Sequence, residues 1–465
     1  MSAFRFLWLL FIGLPLAGWG QATTPLTLPQ ALELARTNYP SLRARQAGIA
    51  AATADVRTLR ATYLPQLTVQ AQALNGTSNQ ARGALLGGIG PNVSGVRDYT
   101  SSQASWASQG MLFIDWPAVT FGRYRADVQR AEAGVNQAQA DYTQELFQRQ
   151  VQVADAYLLA LAAQKSVALQ AANLRRTQSL RRVILAATQA GVQAGIDSST
   201  ANAENARAQL QLLVSRQQAE QQRVRLAGLL GVPTQQLAPA DSALFFTRLP
   251  ALPTVTDSGS LLHHPTLLAY KQRVSASDAA AKYLATNKRP TLSLVGATWG
   301  RGSGAASAAS TDGSFNIDPS LGAGLPFKVY NYAVGAALTW RMTELLHSRR
   351  AATAQLARSE QARAEYSQQE LQLRTEQQNA RSQLDLARQS ALAAPAQLDA
   401  AQRAYTQAQA RYNAGLDNLV VLTQATLVLN RAETDQAIAI NNVWRALLLR
   451  AATSGSLTDF TGQLP

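Results

Sequence analysis

The chain has 465 residues, of which 47% are hydrophobic and only 15% charged, so it folds, and Gln, Asn, Ser and Thr supply most of its polar surface. Lys and Arg number 42 against 28 Asp and Glu, a net charge of +14, but the basic residues are scattered in pairs such as Arg175/Arg176 and Arg349/Arg350, without a run that would track phosphates, which argues against nucleic acid as a partner. The absence of cysteine excludes disulfides, thiolate metal sites, catalytic thiols and an acylated cysteine anchor, and with three histidines, two of them adjacent at His263 and His264, no metal or cofactor is expected.

At the N-terminus, Arg5 precedes an apolar stretch from Phe6 to Trp19 that ends in Gly20-Gln21-Ala22, the pattern of an export signal over residues 1–22. No later segment offers the eighteen or so consecutive apolar residues a spanning helix needs, so the exported chain is expected to be a periplasmic or an outer-membrane protein.

The rest of the chain follows one plan twice. Tyr39-Pro40-Ser41-Leu42 opens a helical segment that ends at Leu64-Pro65-Gln66-Leu67, and His264-Pro265-Thr266-Leu267 opens one that ends at Arg289-Pro290-Thr291-Leu292; both prolines recur 225 residues later. Such duplication predicts a first repeat over 23–256 and a second over 257–465. After each second proline the pattern changes to a period of two, with Leu67, Val69, Ala71 and Ala73 on one side, and Leu292 and Leu294 in the later copy. Gly/Ser/Asn-rich stretches follow, near 75–103 and 300–331, and then a further alternating run. Trp106, Leu112, Ile114 and Trp116 share one face in the first copy; Tyr332, Val334, Ala336, Leu338 and Trp340 share one in the second, opposite Asn331, Gly335 and Thr339. Apolar residues on one side and small or polar ones on the other suit strands between lipid and a wet lumen, and each run is long enough to cross a bilayer at a tilt.

Long Ala/Gln/Arg-rich segments come next, about 122–194 and 343–414, nearly free of Gly and Pro. Val128, Val135 and Tyr142 recur at sevens, as do Leu146, Val153 and Ala160, the spacing of a coiled-coil seam. About seventy helical residues extend roughly 105 Å. Both segments stop at similar turns, Ala194-Gly195-Ile196-Asp197 and Ala414-Gly415-Leu416-Asp417, where the glycine fits a left-handed helix end and the aspartate a cap for the returning helix. The returning helices are half as long. In the first repeat the returning helix and a pre-strand helix over 29–64, placed end to end, match the long one. Pro395 inside the second long helix predicts a kink or an interruption.

No catalytic constellation emerges. Gly87-Gly88-Ile89-Gly90 and Gly302-Ser303-Gly304 lack the strand-to-helix context of a phosphate loop and suit extracellular loops, and the adjacent His263 and His264 would point in different directions. The expectation is a protein that is not an enzyme. Aromatic residues, chiefly Trp106, Trp116, Trp299, Tyr332 and Trp340, gather toward the strand ends, as an interfacial girdle would require. Four strands cannot close a barrel, so two, three or four copies would be needed to pair the edges in lipid.

In Ala31-Leu32-Glu33-Leu34-Ala35 with Asn38-Tyr39-Pro40, in Tyr63-Leu64-Pro65, in Phe121-Gly122-Arg123 and in the paired turns, the chain from Leu28 to about Gly455 resembles the TolC family of outer-membrane efflux proteins. The resemblance implies a mixed α and β fold: a homotrimer with four transmembrane β-strands per protomer in one twelve-stranded barrel, continued by a periplasmic α-helical coiled-coil tunnel, with 231–259 and 451–465 as a belt around its middle. It further implies an exit duct of a tripartite efflux or type I secretion system, with outer-membrane lipid, a periplasmic adaptor and an inner-membrane pump as partners. The adaptor would dock at Ala194, Gly195, Ile196, Ala414, Gly415 and Leu416. A periplasmic constriction would involve Arg411, Tyr412 and Asp417, while the places of the family's acidic pair are taken here by Val421 and Gln424. The alternative is a periplasmic coiled-coil scaffold without a pore, in which the four alternating runs would be coincidence.

Overall fold

The computed structural model describes residues 25–77, 79, 102–191, 194–234, 238–239, 242–251, 261–305 and 316–464. The export signal and Gly87 to Gly90 lie outside them. In chain order the elements are β1 (Pro25–Leu26), α1 (Leu28–Asn38), α2 (Pro40–Thr62), β2 (Gln66–Gly76), β3 (Ser105–Val119), α3 (Arg123–Gln189), α4 (Gly195–Leu230), β4 (Ala238–Pro239), α5 (Ser242–Thr247), α6 (Pro265–Thr286), β5 (Thr291–Ser303), α7 (Leu321–Gly324), β6 (Val329–Thr339), α8 (Glu344–Asn413), α9 (Leu419–Ser454) and α10 (Thr458–Thr461). They fall into two compact units. One gathers the stretch ending at Gln46, Ala140–Ala269 and the stretch from Ser367 onward; the other gathers Ala47–Gln139 and Tyr270–Tyr366. Each unit draws on segments from both the N-terminal and the C-terminal half of the chain.

The second unit carries one antiparallel sheet in the order β2-β3-β5-β6. Its register pairs Leu67 with Ile114, Trp116 with Leu294, and Leu294 with Ala336. Pro117 has no N–H to give to a ladder, and the β3–β5 register shifts between Trp116 and Val119, where a bulge absorbs it. At the turn from β3 into α3, Phe121 and Gly122 both have positive φ, 49° and 92°. A Cβ at Gly122 would also lie 2.7 Å from the Arg289 guanidinium, which donates to the Phe121 carbonyl. The end of α2 is fixed to the start of α3 by Arg60 on Glu132 at 2.6 Å and by the Tyr63 hydroxyl donating to Asp127 at 3.3 Å. Burial, with the Asp127 charge behind it, pushes the Tyr63 phenol up to about 12. Arg363 clamps both oxygens of Asp278 at 2.8 and 2.9 Å, joining α8 to α6.

The first unit is helical, and the clearest rule in it is the seam of α8. Ala380, Leu384, Ala391, Ala394, Ala401, Ala408 and Tyr412 are buried, and Ala387, Leu398 and Tyr405 fill the intervening places, so core positions alternate at steps of four and three. Six of these ten are alanines that let neighbouring backbones approach, and they come from a stretch that shows little apolar content in sequence. Pro395 lies on the exposed side beside this seam, and α8 runs through it without interruption. Removing one backbone donor on the wet side of a seventy-residue helix leaves the helix continuous, so of the expected kink or interruption it is the interruption that the structure corrects.

Midway along α3, Val153, Ala154, Ala156, Tyr157, Leu158 and Leu161 are buried on nearly every side. The core there is completed by Trp444 and Leu447 of α9, Leu226 and Leu230 of α4, and Leu28, Ala31 and Ala35 of α1. Trp444 donates from Nε1 to the Phe245 carbonyl at 3.0 Å and packs edge-on against both Phe245 and Phe460, so α5 and α10 are pinned to α9. The Tyr157 hydroxyl donates to the Leu26 carbonyl at 2.8 Å, and β1 pairs in parallel with β4. The expected 36-residue helix before β2 is two helices: Tyr39 is extended, φ −78° and ψ 123°, because a following proline disfavours the helical region, and α2 starts at Pro40.

Candidate functional site

The sheet has two chemically different faces. Cross-strand pairing puts Leu67, Val69 and Ala71 of β2, Leu112, Ile114 and Trp116 of β3, Leu292 and Leu294 of β5, and Tyr332, Val334 and Leu338 of β6 on one side. The other side carries Gln66, Thr68, Gln70 and Gln72, then Gln109 and Asp115, then Ser293 and Arg301, then Asn331, Gly335 and Thr339. Arg301 donates to the Gln109 side chain at 3.0 Å on that polar face. Alternation with a period of two thus yields one apolar wall and one that carries the polar side chains, with Met111, Phe113 and Val295 among them.

Trp106 and Trp116 stand on the apolar face near opposite ends of β3, with Tyr332 on the same side of β6. Trp340, just beyond β6, donates from Nε1 to the Lys288 carbonyl at 3.1 Å at the helical end. Trp299 does not share their face: it pairs with Met111 and Asn331 on the polar side, which removes it from a lipid-facing girdle. Phe327 lies across Gly110 and Gly300 on the apolar face, where any Cβ would come within about 3 Å of its ring. The loop after α7 is thereby held against the sheet.

At the other functional candidate, the two helical hairpins, the turns are not equivalent. α8 ends in a Schellman arrangement: Gly415 at φ 71° donates to the Tyr412 carbonyl and Leu416 donates to the Arg411 carbonyl. After α3, the left-handed residue is Gly191, φ 72°, whereas Gly195 is already the first residue of α4, with Ala194 at its N-cap and open space around it. Gly191 and Gly415 share the left-handed conformation and are 224 residues apart, close to the 225 of the prolines. The caps also differ from expectation: Asn418, not Asp417, accepts from the Val421 N–H, and Asp197 lies inside the first turn of α4. Ala194, Gly195, Ile196, Ala414, Gly415 and Leu416 are all exposed, Ile196 at 74% and Leu416 at 67%.

Of the five residues expected at a constriction, Arg411 and Asp417 form an ion pair with Nε–Oδ2 at 2.6 Å, which holds the Asp417 carboxyl below its usual range and raises the guanidinium. Val421 and Gln424 are exposed one turn apart on α9. Tyr412 is not with them. It is 8% exposed, packed with Ile184, Ala201, Leu419 and Leu422 in the core between the hairpins, so it lines no surface.

Sequence reasoning missed the contacts that join the two hairpins. Arg176 of α3 clamps Glu433 of α9 with both terminal nitrogens, at 2.6 and 2.9 Å, both side chains about one-fifth exposed. Arg445 of α9 donates to Asp155 of α3 at 2.7 Å. Beside the first pair is a cleft of about 660 Å³ between α3, α4, α8 and α9, into whose lining the buried Asn173 contributes. The Arg176/Glu433 partnership spans 257 residues and no local spacing announces it. Among the described residues no group of three acidic or histidine side chains is disposed to hold a metal, and His264 has a plain structural task. Its Nδ1 accepts from the Thr266 N–H at 3.1 Å and its Nε2 lies 3.1 Å from the Ala452 carbonyl.

A two-faced antiparallel sheet joined to α-helices of 67 and 70 residues in antiparallel hairpins defines an outer-membrane protein of the TolC-like fold. Comparison with known proteins agrees. The family described as outer membrane efflux protein matches residues 31–232 and 258–452, and the chain belongs to that family, whose place is the outer membrane. A pyoverdine export outer membrane protein of Pseudomonas putida, OpmQ, is 27% identical over 289 residues, covering 62% of this chain and 59% of that protein, so the match spans less than two thirds of the relative's length. Among solved structures, the outer-membrane channel OprN is 25% identical with a TM-score of 0.72 over 92% of this chain and 90% of that one. The outer membrane protein VceC of Vibrio cholerae is 17% identical, with a TM-score of 0.72 over 92% and 96%, and speaks to the fold alone.

Proposed function

We propose that this protein is the passive exit channel of a tripartite efflux or type I secretion assembly, three copies closing one twelve-stranded barrel over a helical tunnel. The observation that carries this is the state of the sheet's two edge strands. Every residue of β2 and β6 is exposed, with Val69 at 75% and Val334 at 85%. In lipid an open edge leaves backbone donors and acceptors without partners at several kcal/mol each, so β2 of one copy pairing with β6 of the next is the arrangement that satisfies both. The hydrophilic face then lines the lumen. A scaffold without a pore has no need of such a sheet.

The energy for transport would come from an inner-membrane pump, joined by a periplasmic adaptor that meets the exposed aliphatic tips around Ile196 and Leu416. The Arg176–Glu433 and Arg445–Asp155 bridges hold the two hairpins together, so an opening motion that separates them must break these bridges first. Pyoverdine export by the Pseudomonas putida relative makes secreted small molecules the first cargo class to examine. The test is electrical. Purified protein in planar bilayers should form an aqueous pore, and the Arg176→Ala substitution should raise its open probability; the absence of any conductance from correctly inserted protein refutes the reading.

A further inference from the structure

Four chain segments join the sheet to its helices in the second unit: 57–65 before β2, 120–130 after β3, 282–290 before β5 and 341–350 after β6. Together they hold eleven Lys and Arg against two acidic residues, Asp127 and Glu344, so most of the chain's excess of +14 is concentrated at one level of the fold. Sequence position hides this, because no segment contributes more than three basic residues and the segments are far apart along the chain. Ion pairing does not account for the excess. Asp127 is taken by Arg130 at 2.8 Å, Arg60 by Glu132, and Glu344 lies 3.4 Å from His347. Arg125, Lys282, Arg349 and Arg350 are exposed and have no ion pair among the described residues.

The same level exposes large apolar side chains. Leu64 is 60% exposed, Trp340 49%, Met342 65% and Leu346 59%. Trp340 and Met342 follow the last paired residues of β5 and β6, Thr291 with Thr339, and Trp340 keeps the parity of Val334 and Leu338. Unpaired cations interleaved with exposed aromatic and aliphatic groups, at the rim of a membrane-facing wall, match a surface whose apolar part is acyl chain and whose polar part is negative.

We propose that this collar is a binding surface for anionic phospholipid, phosphatidylglycerol being the simplest case, in the periplasmic leaflet of the outer membrane. Phosphodiester headgroups would take the charge of Arg125, Lys282, Arg349 and Arg350, while Trp340 and Met342 enter the upper acyl region. The partner is a lipid and not a soluble anion because the cations border apolar exposed groups that a free phosphate would leave in water. The inference rests on the reading of the sheet as a membrane wall and adds which lipid its helical rim selects.

The experiment uses the full-length protein, delipidated in neutral detergent and placed in vesicles of phosphatidylcholine alone or mixed with phosphatidylglycerol, with the bound lipid quantified by mass spectrometry. The wild type should retain phosphatidylglycerol over phosphatidylcholine by about fivefold or more, the factor expected for a single cation near an anionic surface. That preference should fall with added salt and reach parity in the variant Arg125→Gln/Lys282→Gln/Arg349→Gln/Arg350→Gln. A control, Arg216→Gln/Arg388→Gln on exposed arginines of the first unit, should keep the preference. Equal retention of the two lipids by the wild type overturns the proposal, as does an equal gain in thermal stability from inorganic phosphate at matched ionic strength. So does a quadruple variant that changes the ion selectivity of the pore while its lipid preference is intact, since its cations would then line the lumen. Failure of the membrane wall itself is distinguishable, because the protein would then insert into neither kind of vesicle.

Discussion

At the scale of single residues, the two faces of β6 make opposite demands on adjacent positions. Val334 is 85% exposed on the apolar face, and Gly335, next to it, points to the polar side with open space where a side chain would begin. Val334→Arg should reduce the stability of the inserted protein by about 2 to 4 kcal/mol, read as loss of assembled, heat-resistant protein in the membrane fraction, while Gly335→Arg should insert normally and alter conductance. Equal defects at both positions would reverse the face assignment. Parity carried most of this in the sequence, and it also contained the answer for Trp299: an odd-numbered residue on β5 cannot share a face with Leu292 and Leu294. Clustering aromatics by proximity in sequence, without parity, is what placed it in the girdle. The glycines of the hairpin tips show the same lesson. Gly415 needs its left-handed conformation, so Gly415→Val should cost about 1 to 2 kcal/mol at the tip, whereas Gly195→Ala should be close to neutral for folding and should test only whether the exposed surface itself matters. Gly191, four residues before Gly195, is the glycine that shares the left-handed conformation of Gly415, and its 224-residue spacing from it lies close to the 225 of the prolines.

Between elements, the predictions concern contacts that no local pattern reveals. The Arg176–Glu433 clamp joins α3 to α9 with two charge-assisted hydrogen bonds at low exposure, so Arg176→Ala should lower stability by about 2 kcal/mol, measured by denaturant unfolding. His264 is buried between the start of α6 and the end of α9, and Gly455 can be nothing larger because a Cβ would sit 2.9 Å from the His264 Cα. Burial holds its imidazole below the ordinary value of 6.5, outweighing the Ala452 carbonyl and the Glu376 charge, so the folded state prefers the neutral ring. The unfolded chain therefore binds the proton first. The contribution of His264 is intact above about pH 6.5 and is lost as the pH falls below it toward the lower folded value. His264→Gln should flatten the fall in melting temperature between pH 7 and pH 5; an unchanged slope would show that other groups cause it. The lengths of α3 and α8 were legible from missing Gly and Pro, as was the heptad of Val153 and Ala160. The alanine seam of α8, from Ala380 to Ala408, was equally present in the sequence but easy to overlook, because alanine does not stand out as apolar among Gln and Arg and only its spacing marks it.

For the whole molecule, the account depends on what completes the sheet. Within one copy β3 and β5 are paired on both sides, and β2 and β6 each offer one unsatisfied edge along 11 residues. Periodicity and duplication made the four strands legible, but the copy number was not, since closure is a property of strand tilt and shear that no single chain's spacing contains. The most direct measurement is the native mass of the detergent-extracted protein. Closure by β2-to-β6 pairing in a twelve-stranded barrel predicts a single species of three copies that survives dilution, whereas a stable monomer with an open four-stranded sheet would contradict it.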